Sequence, residues 1–236
     1  MSSVARKKVV LVIVEGPTDE DALGISLKQY FDKFSKNVLV EVMHCDITTE
    51  WSGYPQNIRE KITDVVKRNA QKNKYQKEHY SQIIHIVDTD GAFIDEEYVI
   101  EDKSVEKVNY SLTSIICKDR EDIVNRNIQK SNNLKSLLSI KTIWSIIPYK
   151  VYYMSCNMDH VLHNIQNSTD EEKEYNAHIF AKKYKNDLIG FLNYISESVF
   201  TVKGTYKETW DYIQREVNSL NRHTNLQLCF EEEENS

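Results

Sequence analysis

The chain is poor in the residues that interrupt structure. Its 236 residues include only 3 prolines and 6 glycines. That excludes long linkers and low-complexity segments, and predicts one large domain or one domain with an elaboration. Cysteine is sparse and scattered. Cys45, Cys117, Cys156 and Cys229 show no CxxC spacing, so they read as reduced thiols and not as a disulfide framework or a zinc site. No stretch approaches the ~20 apolar residues of a membrane span. The apolar run Val9–Val14, after the basic start MSSVARKK, is too short for a secretory leader and ends in acid. A cytoplasmic protein with no membrane partner is expected. A P-loop, GxxxxGK followed by Ser or Thr, is also missing, which excludes nucleotide hydrolysis by that device within this chain. No internal repeat is visible.

What is present is enough apolar residue for a real core, 40% of the chain, under a net charge of −6. A negative balance argues against a nucleic-acid binder. The argument is not decisive, because a metal centre concentrates carboxylates and its cations reverse their local charge. Glu231–Glu234 reads as a solvated, disordered acidic tail within residues 231–236. One segment is locally basic: Arg59, Lys61, Lys67, Arg68, Lys72, Lys74 and Lys77 stand against Glu60, Asp64 and Glu78. It reads either as a solvated helix face or as a phosphate-contacting stripe, with Arg59, Lys67 and Arg68 as the candidate contacts.

The periodicities alternate between strand and helix. Val9–Val14 is a continuous β-branched run suited to a central parallel strand. Gly16-Pro17-Thr18-Asp19 turns into a helix, with Thr18 as a candidate N-cap and Asp19, Glu20 and Asp21 in the first turn. Val38–His44 predicts a second strand, Trp51–Gln56 a loop, Ile58–Val66 the next helix and Ile83–Val87 the third strand. This β-α-β-α-β order predicts an α/β fold, its central sheet mostly parallel and flanked by helices.

Beyond residue 91 the pattern changes. Residues 92–147 read as an insertion, acidic and irregular at first and helical over Glu121–Ile140, so that the core comprises residues 8–91 and 148–222. Lys150–Met154 is the expected fourth strand, followed by a helix from about Asn157. A long helix is expected over Glu171–Ser196 and a final one over Lys207–Leu220.

The chemistry lies where the strands end. The first run stops at Glu15-Gly16 and the third at Asp88-Thr89-Asp90-Gly91. Alternation puts Asp88 and Asp90 on the same side of the backbone, about 7 Å apart along it. Glu15, from a neighbouring strand, can complete a cluster. In sheets of this type, ligands sit beyond the carboxyl ends of the strands. Carboxylates that close repel one another, and a hard divalent cation with oxygen ligands resolves the repulsion. His44, His85, His160 and His163 lack partners for a competing metal set, and His85, inside an apolar strand, reads as a hydrogen-bonded core histidine.

VIVEGPTDE and HIVDTDG together resemble the Toprim domain of topoisomerases, primases and certain nucleases. The likeness covers roughly the first ninety residues. It implies a Toprim fold and Mg²⁺ or Mn²⁺ on Glu15, Asp88 and Asp90. Three further matches resemble the OLD-family nucleases: Asp19, four residues after Glu15; Ser155-Cys156-Asn157-Met158-Asp159, with Asp159 where Glu is usual; and Lys203-Gly204, past the sheet. The resemblance implies two ions, with Asp19, Ser155 and Asp159 serving the second and Lys203 neutralising charge on the phosphate. No tyrosine-bearing topoisomerase domain or primase companion domain is visible.

The resemblance thus implies a metal-dependent endonuclease acting on DNA or RNA, an antiviral defence effector with an ATPase partner subunit and possible homo-oligomerisation. The alternatives are a structured-RNA maturase of Toprim type and a non-catalytic Toprim binding or assembly module.

Overall fold

The computed structural model describes residues 7–34, 38–49 and 57–230. The expected loop at Trp51–Gln56, the basic start and the acidic tail fall almost wholly outside these residues. Strand β1 (Lys8–Val14) leads into α1 (Pro17–Phe34), β2 (Val38–His44), α2 (Ile58–Asn73) and β3 (Tyr80–Asp88). Next come three short strands, β4 (Val99–Glu101), β5 (Asn109–Tyr110) and β6 (Ile115–Cys117), and the long α3 (Arg120–Ser139). The chain returns through β7 (Thr142–Ile143) and β8 (Ile147–Met154), then α4 (Met158–His163), α5 (Asp170–Tyr184), α6 (Leu188–Glu197) and α7 (Tyr206–Ile213).

Five strands form the main sheet in the order β2-β1-β3-β8-β7. The pairs β1–β2, β1–β3 and β3–β8 are parallel, and only the edge pair β7–β8 is antiparallel. The protein is therefore α/β with a mostly parallel central sheet. Strand β1 lies between two neighbours, and Val9–Val14 are at most 1% exposed. That explains an apolar run without alternation, since both faces of a central parallel strand are covered.

The two faces are packed by different helices. Val10, Val12 and Val14 join Leu23, Leu27 and Phe31 of α1 and Phe180 and Tyr184 of α5. Val9, Leu11 and Ile13 join Ile62 and Val66 of α2, Leu134 and Leu137 of α3, and Trp210 of α7. Burial of each such side chain stabilises by roughly 1.5–3 kcal/mol.

The topology also locates a cleft. From β1 the chain steps outward to β2, then returns across β1 to β3 on its other side. The carboxyl ends of β1 and β3 therefore flank the point where strand order reverses, which is where open α/β sheets bind ligands.

Several sequence expectations need correction. Helix α1 begins at Pro17, not after a Thr18 cap. Proline has no N–H to leave unsatisfied and a φ already suited to a first helical residue. The acidic stretch after residue 91 is not irregular throughout: β4, β6 and β5 make a second three-stranded sheet. It packs Val99, Ile115 and Cys117 with Ile123 of α3 and Leu220.

The helix expected over Glu171–Ser196 is two helices. The chain breaks at Lys185–Asp187, and the Asp187 carboxylate accepts a hydrogen bond from the Gly190 N–H at 2.8 Å to start α6. The break turns Phe191 and Ile195 into the core beside Phe180 and Tyr184. The final helix stops at Ile213, and Glu216 adopts a left-handed φ of 47°. Only a single 3₁₀ turn, Asn218–Leu220, follows. Packed chain then continues through Phe230, whose carbonyl accepts a hydrogen bond from Tyr30 at 2.6 Å.

Candidate metal centre

Two backbone turns build the floor of the centre. At the end of β3, the Thr89 N–H donates to the Met154 carbonyl at 3.0 Å and the Asp90 N–H to the Cys156 carbonyl at 2.8 Å. The buried Thr89 hydroxyl donates to the Ser219 carbonyl and accepts from the Cys156 N–H, each at 2.8 Å. Asp90 and Cys156 are both left-handed, with φ of 48° and 58°. Such backbone costs of order 1 kcal/mol or more per residue and persists only where its surroundings over-determine it. These bonds supply that constraint, and they set the Asp-Thr-Asp turn against the end of β8.

Gly91 completes the turn at φ +67°. A Cβ there would fall 2.6 Å from Leu220 Cδ2 and 3.0 Å from Ile115 Cδ1. Gly91→Ala is therefore expected to destabilise by roughly 1–3 kcal/mol through overpacking and left-handed strain. Thermal unfolding measures the loss, and an unchanged midpoint would contradict the close packing described.

Four acids converge over this floor. The Glu15 carboxylate accepts from the buried Thr48 hydroxyl at 2.7 Å and from Lys130 Nζ at 3.1 and 3.3 Å. The Asp90 carboxylate binds the same ammonium. Asp19 reaches back to cap its own helix, its Oδ2 accepting from the Gly16 N–H at 2.8 Å. Asp88 differs from the others: among the described residues no hydrogen bond reaches its carboxyl group.

The electrostatics follow from this uneven pairing. Burial, then the charges of Asp19, Glu15 and Asp90, push Asp88 well above the ordinary carboxylate range, against a smaller opposing pull from Lys130. Burial raises Glu15 to about 7 despite Lys130. Burial raises Asp19 to about 6, opposed by the Gly16 N–H and reinforced by Asp159. For Asp90 burial acts upward too, but Lys130 and then Arg126 outweigh it and hold the group low.

Lys130 comes from the middle of α3, on the buried stripe Ile123, Asn127, Lys130, Leu134 and Leu137, and is 1% exposed. Asp90, Glu15 and Asp88 keep it protonated against the cost of burial. One turn earlier, Arg126 Nη2 donates to the Asp90 carbonyl at 2.9 Å and Nη1 to the Tyr110 hydroxyl at 2.8 Å. Sequence reasoning missed both cations. The available signal was a lysine set among apolar residues at helical spacing, since a charge on a buried face needs a charged partner.

The remaining candidates divide. Asp159, in the first turn of α4, interacts with Asp19. Its own carboxyl is raised by burial and partly relieved by His163, Asn176, Lys173 and Ser168. Ser155 is fully buried, and its hydroxyl donates to the Asn218 carbonyl at 2.9 Å, so it anchors the turn. Asn157 caps α4 by accepting from the His160 N–H at 2.9 Å. Lys203 is not brought to the acids. Its ammonium is exposed, bonded to the Ser196 carbonyl and 3.3 Å from Glu197.

Arg59, Lys67 and Arg68 lie on the exposed face of α2. Arg59 donates to the Thr142 carbonyl at 3.0 Å, and Lys67 stands 3.9 Å from Asp64. His85 is buried, with Nδ1 2.8 Å from the Tyr149 hydroxyl, as a core histidine would be.

Oxygen-only donors, one of them a carboxyl without a hydrogen bond among the described residues, suit a hard divalent cation. Among the described residues, however, no group of three or more His, Cys, Asp or Glu side chains is placed so that it could hold a metal ion. The Lys130 ammonium stands between Glu15 and Asp90. The described helices include none long and apolar enough to cross a membrane. No protein-family model, curated protein or solved structure matches this chain.

Proposed function

We propose that the chain is a Toprim-type, divalent-metal-dependent nuclease that hydrolyses nucleic-acid phosphodiesters. The observation that carries this reading is the convergence of Glu15, Asp19, Asp88 and Asp90 at the strand-order switch point, with no hydrogen bond to the Asp88 carboxyl among the described residues. Glu15, Asp88 and Asp90 would hold Mg²⁺ or Mn²⁺, with Asp19 and Asp159 on the α1–α4 side. The metal would supply Lewis-acid polarisation of a phosphoryl oxygen and offset charge growing in the transition state. The chain supplies the rest of the field. Arg126 fixes the Asp90 turn through its main-chain carbonyl, and Lys130 holds two of the acids together. Lys173 acts on Asp19 and Asp159. Preorganised groups of this kind cost no reorganisation as charge develops.

The reading includes an ATPase partner subunit and a role as an antiviral effector, as the resemblance to the OLD-family nucleases implies. The test is cleavage of supercoiled DNA, single-stranded DNA and a folded RNA by the purified chain in Mg²⁺, Mn²⁺ or EDTA. Products in either metal and none in EDTA are expected. Preference for the folded RNA would favour the maturase-like alternative.

One observation supports a reading of another class. A lysine ammonium already neutralises two of the acids, which is what a Toprim-derived binding module without catalysis would need. Absence of products from all three substrates in both metals would favour that module over the nuclease.

A further inference from the structure

Burying an ammonium is expensive, and it is compensated only where opposite charges and hydrogen bonds meet it closely. Lys130 satisfies this condition in one place only. Its Nζ lies 3.1 Å from Glu15 Oε2, 3.3 Å from Glu15 Oε1 and in contact with Asp90 Oδ2. The helix that delivers it lies in the crossover between the parallel strands β3 and β8, with Leu134 and Leu137 packed on the sheet. The ammonium is a compact point charge with three donors, so it can bridge carboxylates as a small cation does.

Among the described residues, no ammonium is bonded to the other half of the cluster. Asp19 accepts one hydrogen bond, from the Gly16 N–H, and the Asp88 carboxyl group receives none among the described residues. Asp19 is the largest charged influence on Asp88. The acids thus divide into a lysine-bridged pair, Glu15 and Asp90, and a pair to which no ammonium is bonded among the described residues, Asp88 and Asp19, which feel Lys130 and Lys173 only at a distance.

We propose that Lys130 is a built-in cation filling one of the two positive positions in this centre, so that the protein binds a single divalent ion, on the Asp88–Asp19 side. The inference rests on the metal-centre reading given above, narrows the two-ion expectation of the resemblance to one ion, and assigns Glu15 and Asp90 to Lys130 in place of the ion. Lys130 is a positioning residue in this scheme. It keeps Glu15 and Asp90 in place without metal and leaves one vacancy of charge for the ion to fill.

The experiment counts Mn²⁺ ions bound, by electron paramagnetic resonance after EDTA treatment and dialysis, in the wild type, Lys130→Met and Lys130→Arg. Unfolding midpoints are recorded with and without Mn²⁺. The wild type should bind one ion and Lys130→Arg one. Lys130→Met should bind two. Its metal-free midpoint should fall by roughly 10 °C, because an unpaired buried charge pair is strongly destabilising. Saturating Mn²⁺ should restore it, a rescue that a purely structural lysine would not show.

Two ions in the wild type, or one in both the wild type and Lys130→Met, would overturn this inference while leaving the metal centre standing. No ion in either would remove the metal-centre reading itself. No ion in the wild type but one in Lys130→Met would overturn the single-ion scheme and favour the non-catalytic module. If Lys130→Met does not fold without metal, the wild-type count decides: one ion supports the inference and two overturn it.

Discussion

Asp88→Asn is expected to lower metal-dependent cleavage by about 10²–10³-fold or more while leaving the fold intact. The choice of residue matters. Glu15 and Asp90 are bound to a buried ammonium, so neutralising either strands a charge in the interior and confounds lost chemistry with lost structure. Asp88 carries no such partner among the described residues. Asparagine keeps its volume and removes only its charge, which is the property a hard cation requires. Initial rates on a cleaved substrate, with circular dichroism on the same samples, measure both halves of the prediction. Lys203→Ala is the contrast. Its ammonium is exposed and paired with Glu197, an interaction worth at most about 1 kcal/mol, so cleavage should stay within about fivefold of the wild type. Full cleavage by Asp88→Asn would dismiss the metal-centre assignment.

The parts of the site legible in the sequence are those fixed by local patterns. A run such as Val9–Val14 has one use, a strand buried on both faces, and an acid at its end must lie at the sheet's carboxyl edge. Asp88 and Glu15 were therefore readable from strand ends alone, and α3 from its periodicity; Asp90 lies beyond β3 in a left-handed turn with φ of 48°, so the turn and not strand alternation sets its side chain. Illegible were features settled by distant partners. Nothing local says that Lys130 meets Glu15, 115 residues away, or that Ser155 turns to Asn218. Lys203-Gly204 is a two-residue pattern, and the structure leaves its ammonium at the end of α6. The second sheet escaped notice because β5 has two residues and β4 and β6 three each, too few to display an alternation. The break between α5 and α6 depends on Asp187 capping against Gly190, whose missing Cβ would otherwise lie 2.1 Å from the carboxylate.

The same Asp88→Asn change should stabilise the metal-free protein. A carboxylate among like charges, with no cation bonded to it among the described residues, opposes folding, and its removal should raise the unfolding midpoint in EDTA by roughly 5–10 °C at about pH 8. The sign of the pH dependence follows from the direction of the shift. Asp88 is raised above its unfolded value by burial and by Asp19, Glu15 and Asp90. Its protonated form therefore favours the folded state. That contribution is complete below the unfolded value near 4 and is lost as pH climbs through the folded one. The advantage of the variant should be small at about pH 4 and grow as pH rises.

Glu15, near 7, and Asp19, near 6, move the same way. The buried histidines His85, near 3, and His160, near 4, oppose them by losing stability as pH falls. Comparing variant with wild type at each pH removes the histidine contribution, which both proteins share. Added Mn²⁺ should then invert the order. Ligand at 100 times its dissociation constant stabilises a protein that binds it by about 2.7 kcal/mol, and only the wild type retains the carboxylate to bind with. Thermal melts across pH, with and without Mn²⁺, give the whole pattern. A variant less stable than the wild type in EDTA at alkaline pH would show that Asp88 is compensated in the folded protein, and that this half of the cluster carries no excess charge for a metal to neutralise.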